Sequence, residues 1–190
     1  VQSVRGCRAE CTFCNVRNFN GLGVRRRSTQ SVIDELIMLR QEYNVDHIVW
    51  LDDDILYDRR KALELFNEMV RQDVGITWDC SNGVIAVSCT DEMMSAAEAS
   101  GCLGLILGIE SGNQEILRQI KKPGTVETFI AAAEVLRKYE QIHARAFLMI
   151  GFPGETYRQI LDTINLCSKM RLDWHNISPI QPLPNTPIYK

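Results

Sequence analysis

The sequence contains no apolar run long enough to cross a bilayer. Its longest ones, Cys102 to Ile109 and Ala144 to Ile150, stop far short of the roughly 20 residues a membrane helix needs. No basic-then-apolar segment opens the chain, so a membrane-spanning or exported protein is not expected. Low-complexity tracts and linkers are also missing, and nothing in the 190 residues requires a second domain. Neither sign of charge dominates. A net charge of −3 argues against a surface built mainly to hold nucleic acid, and the one basic exception, Arg25-Arg26-Arg27, is read as a solvated loop. An even cysteine set is absent as well. Seven cysteines do not make a fully paired disulfide framework, which points to a reducing, cytoplasmic compartment. The chain starts at Val1 and stops at Lys190 without a polar tail, so residues 1–190 are expected to be one domain excised from a longer protein.

What is present is alternation. Apolar blocks with strand character cover Val1 to Arg5, His47 to Leu51, Ile76 to Asp79, Cys102 to Ile109, His143 to Ile150 and Trp174 to Ser178. Amphipathic blocks of helical period lie between them: Ser28 to Tyr43, Asp58 to Gln72, Thr90 to Ser100, Asn113 to Ile120, Thr125 to Tyr139 and Glu155 to Met170. Strand-helix alternation implies right-handed crossovers and a parallel sheet of α/β class, with short Val/Ile/Leu-rich strands buried on both faces. Periodicity alone leaves an open doubly wound sheet and a curved, incomplete barrel equally possible. In either, ligand sites gather at the carboxyl ends of the strands.

The residues at those ends are unusual. The first strand runs into Gly6-Cys7-Arg8-Ala9-Glu10-Cys11-Thr12-Phe13-Cys14, a C-x3-C-x2-C loop. Thiolates select iron-sulfur clusters, and a four-iron cube held by three cysteines keeps one iron open to a non-protein ligand. A structural zinc site would want a fourth ligand, yet His47, His143 and His175 sit at strand starts, the far end of the sheet. The second strand ends in Asp52-Asp53-Asp54, whose carboxylates repel one another unless solvated or facing a cation. A solvated turn with Asp54 or Asp58 capping the next helix is the plainer alternative. The fourth ends Gly108-Ile109-Glu110-Ser111-Gly112, and the fifth Ile150-Gly151-Phe152-Pro153-Gly154-Glu155-Thr156, where glycine permits close backbone approach to a flat ligand. The sixth leads to a proline-rich extended segment, Pro179 to Tyr189.

With Cys7, Cys11, Phe13 and Cys14 in place, the sequence closely resembles the radical S-adenosylmethionine superfamily, whose signature is C-x3-C-x-aromatic-C. The resemblance spans essentially the whole chain and implies a partial (βα)6 barrel with parallel strands. It implies that Cys7, Cys11 and Cys14 hold a 4Fe-4S cluster covered by Phe13. It also implies that the cosubstrate chelates the open iron, and that its reductive cleavage gives a 5'-deoxyadenosyl radical that abstracts hydrogen from a substrate. At least one of Asp52, Asp53 and Asp54, with Asp52 and Asp53 the named candidates, is then expected to meet the cosubstrate ammonium, Glu110 and Ser111 its ribose or methionine end, and Ile150 and Gly151 its adenine. No catalytic side chain beyond these cofactor-binding residues is expected. The family often has Gly-Gly-Glu where this chain has Asp52-Asp53-Asp54; the acidic version looks like the branch whose radical domain follows a cobalamin-binding domain. Gly151 to Thr156 and the closing prolines resemble the branch with methylthiotransferase-like and coproporphyrinogen oxidase-like members, with Asn185 where that branch has Gly.

The partners so implied are S-adenosylmethionine, a reductase that donates the electron, an unknown substrate, and cobalamin held outside this chain; nucleic acid is not indicated. Methyl transfer is one reaction type that fits, and methylthiotransferase-type modification of RNA or protein another. A non-catalytic metal or redox module using Cys80 as a fourth thiolate is the alternative from a different class. Cys80, Cys89, Cys102 and Cys167 are otherwise read as small buried hydrophobes. Ser81 and Asn82, closing the third strand, are candidates to face the cavity. Tyr57, Trp78, Tyr139 and Trp174 are read as packing residues, and Arg145, inside the fifth strand, needs a partner that the sequence does not name.

Overall fold

The computed structural model describes residues 1–189; Lys190, the last residue of the expected domain, lies outside them. Its centre is a five-stranded parallel sheet in the order β3-β4-β5-β6-β7, formed by His47–Trp50, Thr77–Cys80, Cys102–Glu110, His143–Ile150 and Trp174–Pro179. Helices α2 (Thr29–Tyr43), α3 (Arg59–Arg71), α4 (Asp91–Ala99), α5 (Gln114–Gln119), α6 (Val126–Leu136) and α7 (Tyr157–Met170) alternate with these strands. Their starts follow from local chemistry. Ser28, Asp58, Thr90, Asn113, Thr125 and Thr156 each turn a side-chain oxygen onto an otherwise unpaired backbone N–H of the first turn. Asp58, rather than Asp54, caps α3. No helix is long and apolar enough to cross a membrane.

The first strand departs from expectation. Val1 does lie along the free edge of β3, its ammonium donating to the Val49 carbonyl at 3.1 Å and its carbonyl accepting from the Leu51 N–H at 2.9 Å. The chain then peels away. The Asp52 carboxylate captures the N–H groups of Ser3 and Val4, at 2.6 and 2.9 Å, and the Ser3 hydroxyl at 2.5 Å. With those donors taken, β1 (Val4–Arg5) pairs antiparallel with β2 (Arg25–Arg26) instead of joining the parallel sheet. The sheet therefore has five strands where six were expected. Two of the three arginines form a strand rather than a solvated loop, and Arg26 donates to the Ile55 carbonyl. A short helix α1 (Val16–Asn20), unforeseen in the sequence, follows the cysteine loop.

Burial on both sheet faces is also corrected. Strands β3, β4 and β6 alternate buried with half-buried or exposed residues, and only β5 is buried on nearly every residue. One face carries the core under the helices. Here Phe66 stacks on Trp78 at 5.1 Å and Trp50 meets it edge-on at 6.4 Å, while the Trp78 indole N–H reaches Ser100. The other face is an open concave lumen. Trp174, expected to serve packing, belongs to that side and is 63% exposed. Cys80, Cys89 and Cys102 sit in the core as expected, and burial pushes the thiols of Cys80 and Cys89 up to about 12.

Candidate functional site

Above the carboxyl ends of the strands lies a cavity of about 210 Å³ whose walls include Cys7, Cys11, Phe13, Cys14, Asp53, Asn82, Gly108, Glu110, Lys122 and Phe147. Its rim is the loop between β1 and α1. The loop is held from both sides: the Thr12 N–H donates to Ile120 at the end of α5, and the Thr12 carbonyl accepts from Ile188 of the proline-rich segment. Inside it, the Cys14 N–H closes a turn onto the Cys11 carbonyl at 3.1 Å. Phe13 lines the cavity and also packs on Phe152, ring centres 6.0 Å apart, against Ile116 and Ile120. The strand end after β6 thereby buttresses the cysteine loop.

Gly6 makes the turn into this loop possible. Its φ is +97°, and a Cβ there would lie 2.2 Å from the Gly23 carbonyl oxygen, so any side chain collides with the strand pairing opposite. Asp53 secures the same turn, its Oδ2 accepting from Gly6 N–H at 2.6 Å and Asn20 Nδ2 at 2.7 Å. Its other oxygen accepts no hydrogen bond among the described residues.

The three cysteine side chains are partly buried. Burial pushes the Cys7 thiol up and the Cys11 thiol up to about 11, against the pull of Lys122. Such thiols release their protons when a metal replaces them. Among the described residues no three His, Cys, Asp or Glu side chains converge on a point that would hold a single metal ion. The donor set, its spacing and the apolar walls fit a cluster. Cys80 does not join them: it is fully buried on the helix side of the sheet, with its thiol turned to the Asn82 carbonyl.

Glu110 reaches the cavity through a distortion. The β5–β6 pairing shifts by one residue between Gly108 and Glu110, and Glu110 adopts φ +70°, a left-handed conformation that costs a non-glycine residue energy. That re-aims its carboxylate. Oε1 takes the Lys122 ammonium at 2.8 Å, with both side chains about 10% exposed. Lys122 is the cavity-lining residue that the sequence does not announce, because Lys121-Lys122-Pro123-Gly124 looks like a helix stop and nothing more. Burial alone would favour the neutral amine, yet Glu110, Cys11 and Cys7 outweigh it and raise the pKa of Lys122. The ammonium also depends on Gly108, since a Cβ there would sit 2.9 Å from Nζ.

The remaining expected residues divide. Asn82 lines the cavity and donates to the Asp52 carbonyl at 3.0 Å. The Asp52 carboxylate is consumed by β1, and Asp54 lies 1% exposed beneath the loop with no donor at hydrogen-bond geometry on either oxygen. Ser111 is fully buried away from the cavity, its hydroxyl beside Thr163 and accepting from the Asn113 N–H. Ile150 and Gly151 stand at the end of β6 outside the cavity wall, the Gly151 N–H donating to Glu155. Glu155 thus closes the Gly-Phe-Pro-Gly turn instead of opening α7.

A family model described as the Radical SAM superfamily matches residues 1–167. "Uncharacterized methyltransferase PH0819" of Pyrococcus horikoshii is 30% identical over 190 residues, all of this chain and 41% of that protein. "Cytidylyl-2-hydroxyethylphosphonate methyltransferase" of Streptomyces wedmorensis is 37% identical over 150 residues, 78% of this chain and 28% of that one. This chain thus spans less than half the length of both. Among solved structures, the radical S-adenosylmethionine methyltransferase TsrM from Kitasatospora setae, with cobalamin and a [4Fe-4S] cluster bound, superposes with a TM-score of 0.89. It is 19% identical, the match covers 99% of this chain and 38% of that one, and the likeness bears on the fold.

Proposed function

The chain belongs to the radical SAM superfamily, and from that premise we propose that it is the catalytic core, residues 1–190, of a longer radical S-adenosylmethionine enzyme. Cys7, Cys11 and Cys14 hold a 4Fe-4S cluster in the cavity. The observation that carries this is that three partly buried thiols, one carboxylate with a free oxygen and a buried Lys–Glu pair all line a single cavity. Bound there, cluster and cosubstrate supply reductive cleavage of the sulfonium C–S bond and hydrogen abstraction from a substrate, chemistry that belongs to the cofactors.

The protein's part is placement. Asp53 keeps one carboxylate oxygen for the cosubstrate ammonium while its other braces the turn at Gly6. Glu110, pinned by Lys122 through Oε1, keeps Oε2 for a ligand hydroxyl. Phe13 and Phe147 give the space apolar walls that exclude water, where electrostatic contacts gain strength. Ile150 and Gly151, at the end of β6 just outside the cavity wall, are assigned to the adenine. Asp52 and Ser111 act by holding β1 and α7 in place.

The reaction assigned is methyl transfer, with cobalamin carried by a part of the protein outside this chain and an electron from a reductase. Two relatives named as methyltransferases favour it over methylthiolation. The full-length protein, reduced anaerobically with S-adenosylmethionine, is expected to form 5'-deoxyadenosine, and Cys11→Ala to abolish it. Formation of the nucleoside at an undiminished rate by Cys11→Ala overturns the proposal.

A further inference from the structure

The concave face of the sheet holds a second space that the cluster site does not use. It is a cavity of about 410 Å³ walled by Asp79, Ser81, Arg145, Phe147, Trp174 and Asn176, among others. Phe147 lines both cavities, so the two adjoin across one aromatic ring. A volume of this order suits a small organic molecule.

Arg145 is its distinctive group. It is the third residue of β6, an interior strand, paired in register with Ile106 on β5 and Trp174, the first residue of β7. Gly104 gives it room: a Cβ at that position would meet Arg145 Nη2 at 3.6 Å and Asp79 Cβ at 3.2 Å. The guanidinium therefore lies across a gap that any other residue would narrow. Its Nε is buried without a hydrogen-bond partner, and among the described residues no carboxylate forms an ion pair with it. The nearby Asp79 leans the other way, 3.6 Å from His47 Nε2. A half-buried guanidinium without a counter-charge is unfavourable, and its planar fork matches an oxyacid group in bidentate fashion. Ser81 and Asn176 bring neutral hydrogen-bonding groups to the same walls, and Phe147 and Trp174 offer flat apolar surface.

We propose that the lumen cavity binds the anionic end, a carboxylate, phosphate or phosphonate, of the molecule the enzyme acts on, with Arg145 receiving the charge and Phe147 and Trp174 flanking the apolar part. That this molecule is the one acted on rests on the radical-enzyme reading; the anion site itself stands without it. Benzoate and phenylphosphonate, titrated into the full-length protein by calorimetry with Trp174 fluorescence as a second signal, test it. At least one probe is expected to bind, and whichever binds more tightly identifies the oxyacid. Arg145→Gln is expected to weaken that binding at least tenfold and Arg145→Lys to restore part of it. Ser81→Asp, which keeps the arginine but supplies an internal counter-charge, is expected to abolish it, so the test survives poor folding of Arg145→Gln. The Cys7→Ala/Cys11→Ala/Cys14→Ala protein is expected to retain anion binding, which separates this proposal from the cluster assignment. Failure of both probes to bind, or equal affinity in wild type, Arg145→Gln and Ser81→Asp, overturns it.

Discussion

Asp54 is a carboxylate placed where ionisation is unfavourable, and its removal should stabilise the fold in a pH-dependent way. Its side chain is 1% exposed with neither oxygen hydrogen-bonded. Burial raises its pKa from 3.8 to about 6, a shift that Arg8 and the nearby Leu56 and Ile85 amides only moderate. Because the folded state then holds the proton more tightly than the unfolded chain, stability falls as pH rises from about 4 to about 6, and the full penalty persists above that. Two pK units correspond to about 3 kcal/mol. Asp54→Asn has no such titration. Urea denaturation should find the variant and wild type differing by about 2.4 kcal/mol more at pH 7.5 than at pH 4, in favour of the variant. Curves for wild type and variant that stay parallel across this range would refute the argument.

Two further substitutions probe the supports of the site. Asp52→Ala strands the Ser3 and Val4 donors that it now satisfies, and a loss of about 3 kcal/mol or more in thermal or urea denaturation is expected, with lower iron loading because β1 positions the cysteine loop. Lys122→Met leaves Glu110 buried without its partner and should destabilise by about 3 kcal/mol, while the Glu110→Gln/Lys122→Met pair recovers much of it. Equal stability of the single and double variants would show that the pair contributes nothing.

Much of this was visible in the sequence where chemistry is local. Thr90 and Thr125 cap the helices expected from them, and the strands from His47 onward fall within a residue or two of their expected bounds. What stayed hidden was tertiary. Val1 to Arg5 has the pattern of a parallel strand, but Asp52, far along the chain, diverts its donors, and its actual partner is an arginine pair with no strand signature. Adjacent carboxylates at Asp52, Asp53 and Asp54 look alike in sequence, yet three successive backbone directions send one to β1, one to the cavity and one into the interior. The pairing of Lys122 with Glu110 depends on the bulge before Glu110, which no periodicity announces. Arg145, an arginine inside a strand, needs a partner on sequence grounds alone; only the gap over Gly104 gives that need a direction.

The central claim is that Cys7, Cys11 and Cys14 hold a cluster with an iron open to cosubstrate. Iron analysis and electron paramagnetic resonance of the anaerobically reconstituted, reduced full-length protein test it most directly. About four irons per chain, a spectrum that changes when S-adenosylmethionine is added, and loss of both in the triple Cys→Ala variant are predicted. A site that still loads iron without the three cysteines, or a reduced spectrum indifferent to S-adenosylmethionine, would contradict it.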